Sequence, residues 1–209
     1  MSLRRSYQLF ALFYSLLLVV GLIALLAGGG TPLAFAHLVV GALAVLGLWG
    51  YILQRGFMGP RMWRPLAALL AVGVVVQLFV LLSVSLSGPL TTWMLTSAVF
   101  SALLVIILYR YGDRDQAIWA TPEELEAAQR LEALMKGQNR LAAQKREDGR
   151  EARVEVVKSD DGYRASVTRR REGQEEAFEE SFHHPATLVF FLEKFAGLSV
   201  DDFQGTDPA

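Results

Sequence analysis

Among the side chains that titrate near neutral pH, only His37 falls inside the long apolar runs of this 209-residue chain. An imidazole in hydrocarbon can relay a proton or face a pore. No Asp or Glu occurs in the first 112 residues to pair with it, so the expectation is an interfacial hydrogen bond near a membrane boundary. Gln77, Gln8 and Thr96 complete the candidate intramembrane polar set. Their amides and hydroxyl can bond a neighbouring helix, or line a cavity if the helices bring them together. In the second half, His183-His184 sets two metal-ligating types side by side. Adjacent side chains of an extended segment point to opposite faces and no third ligand is placed, so a solvated pair before a helix is expected rather than a metal site. Arg169-Arg170-Arg171 is the densest basic run, and Glu172, Glu175 and Glu176 follow it closely enough to neutralise it within one hairpin. No Gly-rich phosphate loop, nucleophile elbow, metalloprotease helix or kinase signature occurs. The absence of cysteine excludes disulfides and thiol nucleophiles. No catalytic residue, cofactor or metal ligand is assigned, and the chain reads as more consistent with a non-enzyme.

The elements that must carry these residues belong to two solvents. Residues 1–112 hold six arginines, Arg4, Arg5, Arg55, Arg61, Arg64 and Arg110, and no acid. All 21 acidic residues and the other 14 cations follow, so a net charge of −1 averages +6 against −7. Crossing about 30 Å of hydrocarbon takes about 20 helical residues with every backbone amide bonded within its segment. Four charge-free windows meet this, 7–27, 33–53, 66–86 and 90–109. The first is longer than the apolar segment of a signal peptide and lacks a small-x-small cleavage site, so it reads as a retained helix.

Orientation follows from the loops. The segments 28–32 and 87–89 are uncharged, whereas 54–64 holds three arginines, which places the N-terminus, the middle loop and everything after Arg110 in the cytosol. Trp49, Tyr51, Trp63, Tyr109, Tyr111 and Trp119 then fall near the cytosolic boundary and Trp93 near the other. Arg55, Arg61, Arg64 and Arg110 become candidates for lipid head-group contact. Gly41, Ala44, Gly47 and Gly50 put a small residue at every third position of the second span, a candidate face for helix packing or for oligomer formation.

After a linker at 113–120 comes a cytosolic domain, 121–202, with 203–209 read as a loose tail. Thr121-Pro122-Glu123-Glu124 has the pattern of a capping box, predicting a helix to about Gln144 whose stripe includes Leu125, Ala128, Leu131, Leu134, Met135, Leu141 and Ala142. From Arg153 the period switches to two. Turn pairs Asp161-Gly162 and Glu172-Gly173 divide three strands into an antiparallel meander. A two-residue loop at Glu172-Gly173 sets Val167 opposite Phe178, Tyr163 opposite Phe182, Arg170 opposite Glu175 and Arg169 opposite Glu176. A last helix opens at Pro185 and stops at Gly197, with Val189, Phe190 and Lys194 as a candidate docking surface. The predicted fold class is thus a four-helix transmembrane bundle followed by a small α+β domain of order α-β-β-β-α. That order resembles a double-stranded RNA-binding domain, in which a basic cluster opens the last helix. Here that place holds His183-His184-Pro185-Ala186-Thr187, and the chain after residue 112 carries a charge of −7, which opposes phosphate binding, so no nucleic acid partner is expected.

The functional expectation is a multi-pass protein of the cell inner membrane, both termini cytosolic. Its partners are the lipid bilayer and another protein or a second copy, and its cytosolic domain serves partner docking, complex assembly or regulation. The alternatives are a small transporter or channel subunit acting as an oligomer, and an enzyme of lipid or cell-envelope chemistry.

Overall fold

The computed structural model describes residues 3–85, 87–147, 150–171 and 174–203. They pack as two units, Met1–Asp113 and Arg114–Ala209. The first consists of helices α1 (Leu3–Gly28), α2 (Pro32–Leu53), α3 (Pro60–Ser83) and α4 (Gly88–Tyr111). All four are long and apolar enough to cross a membrane. Proline in the first turn opens α2, α3 and α4, where its missing N–H would have had no helical partner. Thr31 caps α2 by accepting the Ala34 N–H at 3.2 Å, and Gln54 ends it in the left-handed region at φ 53°.

Helix α1 packs along α2, α3 along α4, and α2 against α4. Phe10 and Phe13 of α1 lie on Phe100 of α4, ring centroids 5.9 and 5.4 Å apart. Burial is concentrated where α2 ends, α3 begins and α4 ends: Ala44 to Ile52, Trp63 and Ala67, and Leu104 to Tyr111. At the opposite end large apolar side chains are open, Leu82 at 84% exposure being the extreme. In water such a surface would cost about 25 cal/mol per Å², whereas lipid tails cover it without penalty.

The second unit runs through a 3-10 turn, Ala117–Trp119, then α5 (Pro122–Leu134), β1 (Arg140–Glu147), β2 (Arg150–Ser159), β3 (Gly162–Arg171), β4 (Gln174–Phe182) and α6 (Pro185–Phe191). Helix α6 continues as a π turn, Leu192–Ala196, and a 3-10 turn, Val200–Phe203, follows. The α+β class is as expected from the sequence. The capping box forms, with Thr121 Oγ1 accepting the Glu124 N–H at 3.2 Å and Glu124 accepting the Thr121 N–H at 2.9 Å. The β3–β4 register places all four expected pairs opposite one another. The Glu172-Gly173 turn itself lies outside the described residues.

In this unit four details differ from expectation, and in the first unit α3 runs Pro60–Ser83 where the span was expected at 66–86. The meander has four antiparallel strands in the order β1-β2-β3-β4, not three. Helix α5 stops at Leu134 rather than near Gln144, and Arg140–Glu147 becomes the added strand, burying Leu141 and Ala143 at alternate positions. Its residues are good helix formers, but pairing with β2 from Leu141↔Val156 to Arg146↔Glu151 outweighs that local preference. The β2–β3 turn centres on Asp160-Asp161, one residue earlier than read, because Gly162 is already paired with Ser159. Gly162 sits at φ 147°, and a Cβ there would run into the Phe182 carbonyl. Phe203, assigned to the tail, is buried.

One sheet face is covered by α5 and α6. Leu131, Leu188 and Leu192 from the helices meet Val154, Val156, Ala165 and Val167 from the strands, all essentially inaccessible. Leu188→Ala is expected to destabilise this unit by about 2–5 kcal/mol, read as the drop in its unfolding midpoint in the full-length chain. Tyr163 at the sheet margin donates to Glu132 at 3.1 Å. Burial first, then that hydrogen bond and the carboxylate's charge, hold its hydroxyl above the ordinary tyrosine value. The stability it contributes is therefore whole below the ordinary tyrosine range and lost as pH rises through the raised value. Ring-labelled NMR titration of Glu132→Gln should show Tyr163 ionising at lower pH than in the wild-type chain; an unchanged midpoint would discount Glu132.

Candidate functional site

The end of the membrane unit where α2, α3 and α4 converge is built around one phenol. Tyr111, the last residue of α4, is 0% exposed, and Trp63 of α3, 1% exposed, lies against it at 5.0 Å between centroids. The Tyr111 hydroxyl accepts the Phe57 N–H at 2.8 Å and donates to the Arg55 carbonyl at 2.6 Å. Trp63 Nε1 donates to the Phe57 carbonyl at 3.0 Å. Three main-chain groups of the α2–α3 loop, where Met58 takes φ 61°, are thereby satisfied by side chains of the helices it joins.

The small residues of α2 make this possible. A methyl on Gly47 would overlap Trp63 and Leu108, and one on Gly50 would overlap Tyr111 and Phe57, while Gly41 faces Leu18 and Ala44 is buried. The stripe is a packing face within the chain. Trp63 and Tyr111, assigned to an interfacial aromatic belt, are core residues instead, because the gaps left by Gly47 and Gly50 admit their rings. Tyr109 and Trp93 do point outward. Arg55, Arg61, Arg64 and Arg110 are exposed at this same convergence. Arg64 also pairs with Asp113 at 3.4 Å and lies over the Tyr109 ring at 5.4 Å.

Of the four candidate intramembrane groups, Gln77 alone is seen bonded to a side chain of another helix. Its Nε2 reaches Ser97 Oγ on α4 at 3.5 Å, while its buried Oε1 has no partner among the described residues. His37 is exposed, its Nδ1 3.1 Å from the Leu33 carbonyl one turn back. Thr96 is exposed and Gln8 half-buried. Polar ties between helices that the sequence did not single out are Trp49 Nε1 to Ser15 Oγ at 3.1 Å, and Tyr14 with Ser101.

In the second unit the candidate docking surface divides. Val189 is fully buried because it lies on the sheet-facing side of α6, which removes it as a docking residue. Phe190 is half-buried beneath the Arg114 guanidinium, 3.3 Å from the ring centroid, and Lys194 is exposed. The largest apolar side chain left open on this helix and its π turn is Phe195, 49% exposed. His183 and His184 are held by their main chain: the Asp115 carboxylate accepts both N–H groups, at 2.6 and 3.1 Å, ahead of α6. His183 Nδ1 lies 3.0 Å from the Asp161 carbonyl. Among the described residues no three His, Asp or Glu side chains gather as metal ligands. The Asp115 contact spans 68 residues, so no local pattern could have announced it.

The outward sheet face carries ion pairs, Arg140–Glu155 at 2.6 Å and Arg164–Glu179 at 3.0 Å, with Gln144 bonded to Glu151. Arg169 turns to the other face, its guanidinium 5.4 Å from the Phe178 ring. No known family model, curated protein or solved structure matches the chain.

Tyr111→Phe keeps the ring but strands the Phe57 N–H and the Arg55 carbonyl. Thermal unfolding in detergent should register a loss of about 1–3 kcal/mol; melting at the wild-type temperature would mean that the hydroxyl does not hold the loop.

Proposed function

We propose that this chain is a non-enzymatic multi-pass protein of the cytoplasmic (inner) membrane whose C-terminal unit docks a partner protein for assembly or regulation of a complex. Four helices suited to crossing a membrane supply the anchor. The observation that carries the reading is the second unit, which has its own buried core beneath α5 and α6 while β4 and Phe195 remain open to the surroundings. A module that folds on its own core and leaves an edge strand accessible is suited to binding.

Both termini face the cytosol in this proposal. The support is that Arg55, Arg61, Arg64 and Arg110 lie at the end where α2 closes, α3 opens and α4 closes, while the loops at 29–31 and 84–87 carry no charge. At that end the four guanidiniums meet anionic head groups.

The cysteine-free chain makes orientation directly testable. Thr31→Cys or Ser87→Cys should react in intact cells with a maleimide confined to the exterior, and Asp160→Cys should react only after permeabilisation. The reverse pattern would invert the topology. For docking, in-cell crosslinking followed by purification of the full chain should yield a stoichiometric protein that is lost when the chain is cut after Ala120. Recovery of the chain alone would remove the docking role.

A further inference from the structure

We propose that β4 is the docking edge, and that it takes an extended segment of a partner protein patterned cation-x-apolar-x-cation as an added strand; this rests on the reading that the second unit docks a protein. The sheet order ends at β4, and among the described residues no strand pairs with its outer side. Its residues are exposed from Gln174 to Ser181 except Phe178, which is half-buried. Such an edge offers main-chain donors and acceptors to another extended chain.

Charge selects the occupant. On the outward face of the sheet, Glu179 is paired with Arg164 at 3.0 Å and Glu175 stands opposite Arg170. On the helix-covered face the strand reads Glu176, Phe178, Glu180. Glu180 stands opposite Ala165, which has no charge, and Glu176 stands opposite Arg169, whose guanidinium lies over the Phe178 ring at 5.4 Å. Two carboxylates thus flank one ring. Phe178 meets Phe191 edge-on at 6.0 Å between centroids, and Phe191 stacks at 5.4 Å on the half-exposed Phe195, so an aromatic shelf runs from the strand to the surface. A strand laid beside β4 with a cation, an apolar side chain and a cation at alternate positions answers all three groups at once. A second copy's β4 is disfavoured, because an antiparallel pairing centred on Phe178 brings glutamate against glutamate.

The test uses full-length protein in detergent micelles and a fluorescent peptide of about ten residues in which lysine and valine take turns at every second position with threonine between them, as in Lys-Thr-Val-Thr-Lys, long enough to span the strand. A second peptide carries the same lysines and valines separated by proline, which cannot complete a ladder. Fluorescence anisotropy should show binding of the first peptide only, weakening with added salt. Amide exchange of residues 174–182 should slow in that complex. Glu176→Lys/Glu180→Lys should weaken binding by roughly tenfold or more, whereas Glu123→Lys/Glu126→Lys, the same charge change on α5, should not. Wild-type unfolding midpoints for both variants would exclude misfolding. The proposal is overturned by equal binding of the proline peptide, by wild-type affinity in the β4 variant, by unchanged exchange in β4, or by no binding at all. A crosslinked cellular partner that persists in the β4 variant would overturn the edge while leaving the docking reading intact.

Discussion

Lipid gives a helix no reason to hide leucine, so in the membrane unit close approach has to come from shape. The shape is supplied by Gly47 and Gly50 of α2, which leave gaps that Trp63, Leu108 and Tyr111 fill. Everything else at that end follows from those gaps. Rings seated there bring the Tyr111 hydroxyl and Trp63 indole within reach of the α2–α3 loop, and the loop's Phe57 and Arg55 main chain is satisfied where a solvent-poor boundary would otherwise make it costly. The same boundary keeps the arginines exposed, since a guanidinium cannot follow the rings inward.

The second unit obeys the opposite rule. Water drives its apolar side chains together, and a sheet with one covered face requires alternate residues to differ in kind. Strands β2 and β3 alternate in this way, which is why Val154, Val156, Ala165 and Val167 are buried while Arg164 and Glu155 form ion pairs on the other side. At β4 the alternation fails on the covered face, where Glu176 and Glu180 bracket Phe178. Core formation does not ask for carboxylates there.

What was legible in the sequence tracks how local each cause is. The four apolar helices, the capping box and the β3–β4 register are written in residues a few positions apart, and they appear as read. Strand β1 has the local composition of a helix, because Leu141, Ala142, Gln144 and Lys145 favour one by themselves, and only the pairing with β2 overrides them. Gly137 and the Asp148-Gly149 dipeptide were the available signals against a continuous helix. The role of Tyr111 was hidden because its partners are main-chain atoms 54 and 56 residues away, and main-chain atoms carry no sequence signature. Val189 and Phe190 are adjacent and both apolar, so the stripe alone does not say that Val189 is the one that turns inward.

These causes also separate the residues that hold the fold from those with chemistry to spare. Gly47, Trp63 and Tyr111 are accounted for by packing, and Asp115 by the two N–H groups it accepts ahead of α6. Arg164 and Glu179 neutralise each other. Gln77 is a polar group whose carbonyl oxygen folding leaves without a described partner, yet that atom is sealed between α3 and α4 and faces nothing a ligand can reach. Glu176 and Glu180 differ from all of these in being exposed, and Phe195 in leaving half of its ring open while the rest stacks on Phe191. Charged edges protect a sheet against indiscriminate pairing, and Glu175 and Glu179 on the outward face already meet that need. A second pair of acids on the covered face, set around an aromatic ring, narrows what can pair with β4 from any extended chain to one that carries the opposite charge in the same alternation.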